Sequence, residues 1–451
     1  MNNKKIQDNV FYRDRNKIYP LIEKGEGIYL YAKDGKRYID ATGGPMVVSI
    51  GHGVDEIIDA MVEQAKKVCF AYTGTFSTAP QLDLARKVIE YAPKGMSHVY
   101  FVSGGSEAIE YAMETARQYF LANGEINRTR MIGRWQSYHG ATFGTLSVGG
   151  HTVFRKDYAP YLMDFPHIPP PYCYRCPYGL DYPSCGVYCA HYLEQLIQYE
   201  GKENIAAFVV EPVSGSSLGA VTPPPEYFPI IRDICDRYGL LLIVDEVITG
   251  FGRTGLNFAV DHWNVIPDII VTAKGMSSGY TPLGGIIIHD KLFAMLDSSG
   301  KARFFSGFTF AGNALSCAVG LAVLSYIQKN GLVERAAKMS RYLFEQAARL
   351  KKMPVVGDIR GLGMLLGIEL VRVKEEKLPF QASKRISDAV VQKAFEKGLV
   401  VRGGHGFING EEGDLIIIAP PFTVRKEEID EILNILEESI TAVCQPLIFN
   451  E

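Results

Sequence analysis

Between residue 72 and about residue 322, short apolar runs alternate with amphipathic stretches of helical spacing. The runs are HVYFVSGG, IAAFVVEP, LLLIVDEV, DIIVTAKG and GGIIIHD. Continuous apolar strands are typical of a sheet buried on both faces, so this alternation predicts an α/β fold with a mostly parallel sheet between helices. The first four runs end in glycine or polar residues, and ligands bind at that edge of such a sheet.

The segments on either side predict a second, smaller unit. A hairpin is indicated in GIYLYAKDGKRYIDAT around Asp34 and Gly35, and a helix with one apolar face follows it. Near the other end, MLLGIEL and GDLIIIAPPF predict strands between helices. We therefore predict a large domain over 72–325 and a smaller α+β domain over 326–451, against which residues 1–71 pack.

Composition excludes several classes of partner. The 451 residues carry a formal net charge of −3, which gives no electrostatic reason to expect nucleic acid or an anionic membrane. We find no apolar run that suits a secretory signal or a membrane span, so a cytoplasmic location is the expectation. In that compartment the eight cysteines are expected to be thiols or metal ligands rather than disulfides.

Three of the strand ends carry residues with distinctive chemistry. In VYFVSGGSEA a helix is expected to start near Gly105 and Ser106, and free N–H groups at a helix start bind anions. Asp245 follows the apolar run LLLIV. A buried carboxylate needs a partner, which is either a cation of the protein or a cation of a bound ligand. Lys274 ends DIIVTAKG. Desolvation would lower its pKa from about 10.4 and let it form a Schiff base with an aldehyde.

Taken singly, these features also suit a capped helix, a salt bridge and a solvent-exposed lysine. Together they meet the needs of pyridoxal 5′-phosphate, which requires an anion site, a carboxylate for the pyridine nitrogen and an amine for the aldehyde. The loop WQSYHGATFG adds Tyr138 and His139, where a flat ring could stack on the cofactor. The chain has neither the P-loop pattern nor the dinucleotide fingerprint, which disfavours nucleotide cofactors.

Five motifs extend this interpretation to a known family. In order and spacing, SGGSEA, SYHG, VDEVITGFGRTG, AKGMSSGYTPLGG and FTFAGNALSCA resemble the class III pyridoxal-phosphate-dependent aminotransferases of fold type I. The chain is most similar to the branch that acts on ω-amino acids and amines, with pyruvate as a common acceptor. The resemblance implies a homodimer with shared active sites, a small-molecule amine donor, a keto acid acceptor and ping-pong transfer through pyridoxamine phosphate.

The resemblance also assigns roles to the residues of the strand ends. Lys274 would be the Schiff-base lysine and the carrier of the proton, and Asp245 would pair with the pyridine nitrogen. Gly105 and Ser106 would hold the phosphate group. The ring of Tyr138 would stack on one face of the cofactor.

Five further residues take their expected roles from the resemblance. Val247 would lie against the opposite face of the cofactor ring, and Glu211 matches the active-site glutamate of the family. Thr309 would reach the phosphate in the neighbouring subunit. Arg402 would bind a substrate carboxylate, although its alternative is a solvated arginine at a strand end, and Tyr72 would help to shape the substrate pocket.

Two other functions remain open at this point. A racemase or epimerase could use the same scaffold, because reprotonation at the substrate Cα instead of the cofactor needs few changes. A non-catalytic protein that only binds the cofactor is the second alternative. Stoichiometric keto product with pyruvate as acceptor would identify an aminotransferase.

A cluster of cysteines stands apart from these motifs. The stretch CYRCPYGLDYPSCGVYC carries Cys173, Cys176, Cys185 and Cys189 in a C-x2-C-x8-C-x3-C array. Four thiolates in two close pairs fit a tetrahedral structural zinc site. An iron–sulfur cluster and four reduced thiols without metal are the alternatives.

Overall fold

The computed structural model of the chain describes residues 9–299 and 306–448. Its strands are β1 (Ile22–Glu26), β2 (Tyr29–Ala32), β3 (Arg37–Asp40), β4 (Met96–Val102), β5 (Arg130–Arg134), β6 (His167–Ile168), β7 (Ile205–Val210), β8 (Leu241–Asp245), β9 (Ile269–Thr272), β10 (Gly284–His289), β11 (Val356–Gly361), β12 (Leu366–Leu370), β13 (Leu399–Val400), β14 (Arg402–His405) and β15 (Asp414–Ile418). Its helices are α1 (Gly43–Met46), α2 (Asp55–Lys67), α3 (Ala79–Tyr91), α4 (Gly105–Ala122), α5 (Phe143–Val148), α6 (Thr152–Arg155), α7 (Tyr188–Glu200), α8 (Tyr227–Tyr238), α9 (Asp290–Ser298), α10 (Ala314–Lys329), α11 (Leu332–Ala347), α12 (Ile386–Glu396) and α13 (Lys426–Ile448). Within these ranges, no helix combines the length and the apolar character that crossing a bilayer requires.

The central sheet has seven strands in the order β4-β10-β9-β8-β7-β5-β6. Strands β9, β8, β7, β5 and β6 run parallel to one another, whereas β10 is antiparallel to both β9 and β4. Every residue of β7, β8 and β9 is buried. The predicted α/β fold with a mostly parallel sheet is confirmed.

Helices cover this sheet on both faces. Along β8, Leu242 and Val244 belong to one buried cluster, while Leu241 and Ile243 belong to another, because successive side chains of a strand point to opposite faces. Helix α4 packs over β7, β9 and β10, and α8 packs against β8. Both faces of the sheet are therefore removed from water.

Two smaller sheets contain the N- and C-terminal segments. Strands β1-β2-β3-β13 form one sheet and β11-β12-β15-β14 the other. The predicted hairpin is present as β2 and β3, and its turn uses Gly35 at φ +83° and a bond from the Lys36 N–H to Asp34 Oδ1 of 3.0 Å. Parallel pairing of β3 with β13 joins the two ends of the chain. The boundaries of the domains stay a prediction.

Helix α2 is confirmed as a helix, but its apolar face is buried only in part. Ile57 is fully buried, whereas Ile58 and Val62 are 41% and 44% exposed. Helix α13 differs from α2, because its whole apolar stripe is buried in the core: Ile429, Ile432, Leu433, Leu436 and Ile440. The single chain thus leaves part of the α2 face without cover.

Candidate active site

The carboxyl ends of β7, β8 and β9 border a cavity of about 150 Å³. The cavity is lined by the residues Gly105, Ser106, Tyr138, His139, Gly140, Glu211, Val213, Asp245, Val247, Ile248 and Lys274. Eight of these were candidates on sequence grounds, and they come from strand ends that lie far apart in the chain. The parallel order of the strands brings them to one edge, as expected for an open α/β sheet.

Asp245 has the partners that a buried carboxylate requires. It is the last residue of β8 and only 6% exposed. Its Oδ2 atom lies 2.7 Å from Nδ1 of His139, and its Oδ1 atom accepts a hydrogen bond of 3.0 Å from the N–H of Val247. Because both oxygens are held, the carboxylate has a fixed orientation at the cavity wall.

Lys274 follows β9 in an uncommon backbone conformation. Its φ of +37° lies in the left-handed region, which residues other than glycine rarely adopt, and such strain tends to occur at functional sites. The N–H groups of Ser277 and Ser278 bind its carbonyl oxygen at 3.2 and 2.9 Å. Burial lowers the pKa of the Lys274 amine to about 8, with Arg402 acting in the same direction and Asp245 opposing both. A neutral amine is therefore much more accessible than for an ordinary lysine.

The start of α4 forms an open cradle beside the cavity. The first N–H groups of a helix have no partner within the helix and attract anions. A Cβ atom on Gly105 would lie 3.1 Å from Val247, so glycine leaves room there. Ser106 Oγ accepts a hydrogen bond of 3.1 Å from Ala141 N, and a Cβ on Gly140 would stand 2.5 Å from that oxygen. Glycine is thus required where this loop meets the helix.

Glu211 is a buried carboxyl group, and burial disfavours its charged form. Burial raises its pKa to about 7, although the neighbouring His139 and Arg134 oppose the rise. Its Oε1 atom accepts a bond of 3.3 Å from Gly215 N, while Oε2 has no hydrogen-bond partner among the described residues. Arg134 Nη2 lies 3.9 Å from that Oε2 and donates to the Glu211 carbonyl oxygen at 2.7 Å. The free oxygen can bind a hydroxyl group of a ligand.

Three candidates lie outside this cavity. Arg402 stands close enough to lower the pKa of Lys274, and it also lies within electrostatic range of Tyr138. Tyr72 is 53% exposed, and Thr309 is exposed at the surface. The role expected for Thr309 requires a second subunit, so the roles of Thr309 and Tyr72 stay predictions.

Sequence reasoning missed several residues of the site, above all Arg134. This arginine ends β5 and is almost fully buried. Its strand has the sequence RMIGR, in which Met131 and Ile132 are the apolar pair, so it does not show the long apolar run of its neighbours. The one indication in the sequence was the position of Arg134, four residues before Tyr138 in the predicted cofactor loop. Gly140, two residues after Tyr138, lines the cavity and was also missed.

The four clustered cysteines line a second cavity, which contains mainly tyrosine and proline side chains besides them. Burial raises the pKa of Cys189 to about 12, and the thiols of Cys173, Cys185 and Cys176 add to the rise. All eight cysteines are free thiols. In the part of the chain that the structure describes, no group of three or more His, Cys, Asp or Glu side chains is placed to hold a metal ion, so the predicted zinc is unsupported.

The cavity at the sheet edge fits pyridoxal phosphate on the chemistry of its groups. Lys274 offers an amine for the aldehyde, Asp245 a fixed carboxylate for the pyridine nitrogen, and Glu211 an open oxygen. The open start of α4 offers N–H groups to a phosphate. Fold and site together fit an enzyme of the pyridoxal-phosphate type, with a buried lysine at the edge of a mostly parallel sheet.

Comparison with known proteins identifies the family. The family model of the class III aminotransferases matches residues 10–440. The chain is 34% identical to the putrescine–pyruvate aminotransferase of Pseudomonas aeruginosa, over 93% of this chain and 90% of that protein. It is 35% identical to the diaminobutyrate–2-oxoglutarate transaminase of Halomonas elongata, over 95% and 91% of the two chains.

A solved structure agrees with these relatives. The (S)-enantioselective ω-transaminase of Thermomicrobium roseum shares 35% identity and superposes with a TM-score of 0.88, covering 96% of this chain and 94% of its own. The chain therefore belongs to the class III aminotransferases, which use pyridoxal phosphate. It is an aminotransferase, and the racemase and scaffold alternatives are not favoured.

Proposed function

We propose that this aminotransferase takes the amino group from an ω-amino acid or amine and transfers it to pyruvate or another small keto acid. The observation that carries the proposal is the pairing at one cavity of Lys274, whose pKa is lowered to about 8, with the buried and fully partnered Asp245. The relatives named above as ω-transaminase and putrescine–pyruvate aminotransferase support this class of donor.

In this mechanism the bound cofactor supplies an electron sink for the carbanion formed at the donor carbon. Lys274 Nζ would take the proton from that carbon and would deliver it to the C4′ carbon of the cofactor, and a pKa close to neutral suits both transfers. Asp245 accepts the hydrogen bond of the pyridine N–H and favours its protonated state. His139, at 2.7 Å from Asp245, keeps the carboxylate in place.

The remaining assigned residues position the reactants. Gly105 and Ser106 bind the phosphate at the start of α4, and Tyr138 and Val247 enclose the flat ring between them. Arg402 binds a substrate carboxylate, for which a guanidinium offers two parallel donors. Positioning of this kind lowers the barrier, because the reacting atoms are held close together.

The proposal includes a homodimer in which Thr309 contacts the phosphate of the partner subunit, and Tyr72 lies near the shared entrance. Apolar surface beside Thr309 supports the homodimer. Phe310 is 59% exposed, and the centroids of the Phe310 and Phe70 rings lie 5.8 Å apart. The apolar face of α2 is exposed in part as well, as expected of a surface that a partner covers. The proposal also includes a cytoplasmic location, the setting in which eight unbridged thiols are chemically ordinary.

A panel of amine donors tests the proposal. Purified protein loaded with pyridoxal phosphate is mixed with each donor and with pyruvate or 2-oxoglutarate, and both products are quantified. We expect one equivalent of aldehyde or keto acid for each amino group transferred. Racemisation of the donor without any keto product would contradict the proposal.

A further inference from the structure

Another pocket, distinct from the cavity of the cysteines, has a volume of about 460 Å³ and shares Tyr138 with the cofactor cavity. Its walls are largely aromatic and aliphatic: Arg13, Tyr138, Ala141, Phe143, Leu146, Val153, Phe154, Asp157 and Tyr158. The rings of Tyr138 and Phe154 meet edge to face, with centroids 5.5 Å apart. Apolar walls of this size accept a carbon chain of several atoms.

Cationic groups stand around this pocket. Arg13 lines it, and Arg402 lies within electrostatic range of both Arg13 and Tyr138. Arg402 is half-buried, no described carboxylate acts on its pKa, and its Nε atom has no hydrogen-bond partner among the described residues. A desolvated guanidinium without a counter-ion is costly, and a bound anion would offset that cost.

Neighbouring titratable groups leave the pocket cationic on balance. His151 lies near Arg402, and burial lowers its pKa to about 4, so it is neutral near pH 7. Asp157 also lines the pocket, but it is exposed, where water and salt screen its charge. Arg13 is exposed as well, so its charge and that of Asp157 are screened alike. The partly buried Arg402 nearby gives the region its net positive charge, which favours an anionic group over a second ammonium.

We propose that Arg13 is a second carboxylate-binding residue beside Arg402, and that the preferred donors are ω-amino carboxylates rather than diamines. This inference rests on the proposed function, because it concerns the donor of the same reaction. Since Tyr138 stands between the cofactor cavity and the pocket, a carboxylate held by Arg13 belongs to a donor whose amine is several bonds away. The hydrocarbon between the two groups packs against the aromatic walls.

Three donors of similar length test the proposal: δ-aminovalerate, n-pentylamine and cadaverine carry a carboxylate, a methyl group and an ammonium at the far end. In the parent enzyme we expect kcat/KM to be highest for δ-aminovalerate and lowest for cadaverine. Arg13→Ala should lower kcat/KM for δ-aminovalerate about tenfold, the scale of one partly exposed charge-assisted contact. It should change the value for n-pentylamine by less than about twofold, and Arg13→Lys should restore part of the loss.

Lys17→Ala is the matched control, because Lys17 is an exposed cation of the same segment outside the pocket lining. Binding of valerate, which lacks the amine, is measured by calorimetry on the holoenzyme, and Arg13→Ala should raise its Kd about tenfold. Equal losses for δ-aminovalerate and n-pentylamine, or a preference for cadaverine, would overturn the inference. If no amine is turned over, the proposed function fails, and the valerate measurement still decides the role of Arg13.

Discussion

The cavity around Lys274 and the cavity around the four cysteines are both rich in titratable side chains, yet their electrostatics differ. At the first, an amine, a histidine and two carboxyl groups meet, and neighbours act on the pKa of Lys274 in opposite directions. At the second, burial and the other thiols raise the pKa of both Cys173 and Cys189. In the first cavity, opposite charges partly offset the effect of burial on Lys274 and Glu211, whereas in the second, burial and like groups act together to favour neutral thiols.

A catalytic site needs groups of opposite charge at short range, and a cluster of one reactive residue type does not provide them. Opposite charges at short range keep ionised groups stable in a desolvated cavity, where their interactions are strong. A group of like acids without a cation stays protonated, because each ionisation disfavours the next.

Replacing the amine at the centre of the first cavity should have the largest effect. Lys274→Ala removes the base and the cofactor's covalent anchor, so we expect turnover with pyruvate to fall by more than about a thousandfold. The visible absorbance of the lysine-bound cofactor should disappear as well. Lys291→Ala, a change at an exposed lysine of α9, is the control. Turnover near the parental rate in Lys274→Ala would refute its role.

Removing one charge from the same cavity should have a smaller effect. Asp245→Asn loses the carboxylate that stabilises the pyridine N–H, and we expect kcat to fall about a hundredfold, the scale of a buried charged hydrogen bond. His139→Asn keeps the carboxylate and loses only its partner at 2.7 Å, so a loss of about tenfold is expected. Steady-state kinetics and the absorbance spectrum of the bound cofactor measure both. Equal rates for Asp245→Asn and the parent would remove Asp245 from the mechanism.

Glu211 allows a test through pH. Because burial raises its pKa from 4.5 to about 7, the folded protein favours the protonated acid. Its contribution to stability is complete below pH 4.5 and is lost as pH rises towards 7, by at most about 3 kcal/mol. At each pH the melting temperature of Glu211→Gln is compared with that of the parent. The difference, variant minus parent, should rise as the pH rises from about 5 to about 8, because only the parent loses stability over that range.

Glu246 provides the control for this measurement. It is fully buried, burial raises its pKa to about 7 as well, and it lies outside the lining of the cofactor cavity. Glu246→Gln should alter the pH dependence of the melting temperature in the same direction and leave the pH profile of kcat unchanged. Glu211→Gln should change both. An identical kcat profile in Glu211→Gln would show that the carboxyl group is not part of the reaction.

The sequence predicted most of this site because strand ends carry strong patterns. Lys274, Asp245 and Glu211 each follow an apolar run, and the parallel order of such runs brings their ends together. Arg134 was missed because β5 is only weakly apolar, with a methionine and an isoleucine between arginines and a glycine, and the burial of Arg134 comes from tertiary packing. The exposed face of α2 likewise could not be foreseen, since periodicity shows that a face is apolar but not what covers it.

The structure does not support the zinc that the cysteine spacing predicts, and this region gives the smallest predicted effect. Close pairs in sequence bring thiols to one cavity, but a metal site also requires converging, deprotonated sulfurs. We expect purified protein to contain far less than one equivalent of zinc or iron per chain, and chelators to leave its melting temperature unchanged. Cys173→Ala, at an exposed thiol, should cost less than about 0.5 kcal/mol. About one equivalent of tightly held metal would contradict this prediction, since metal binding requires the thiols to be deprotonated.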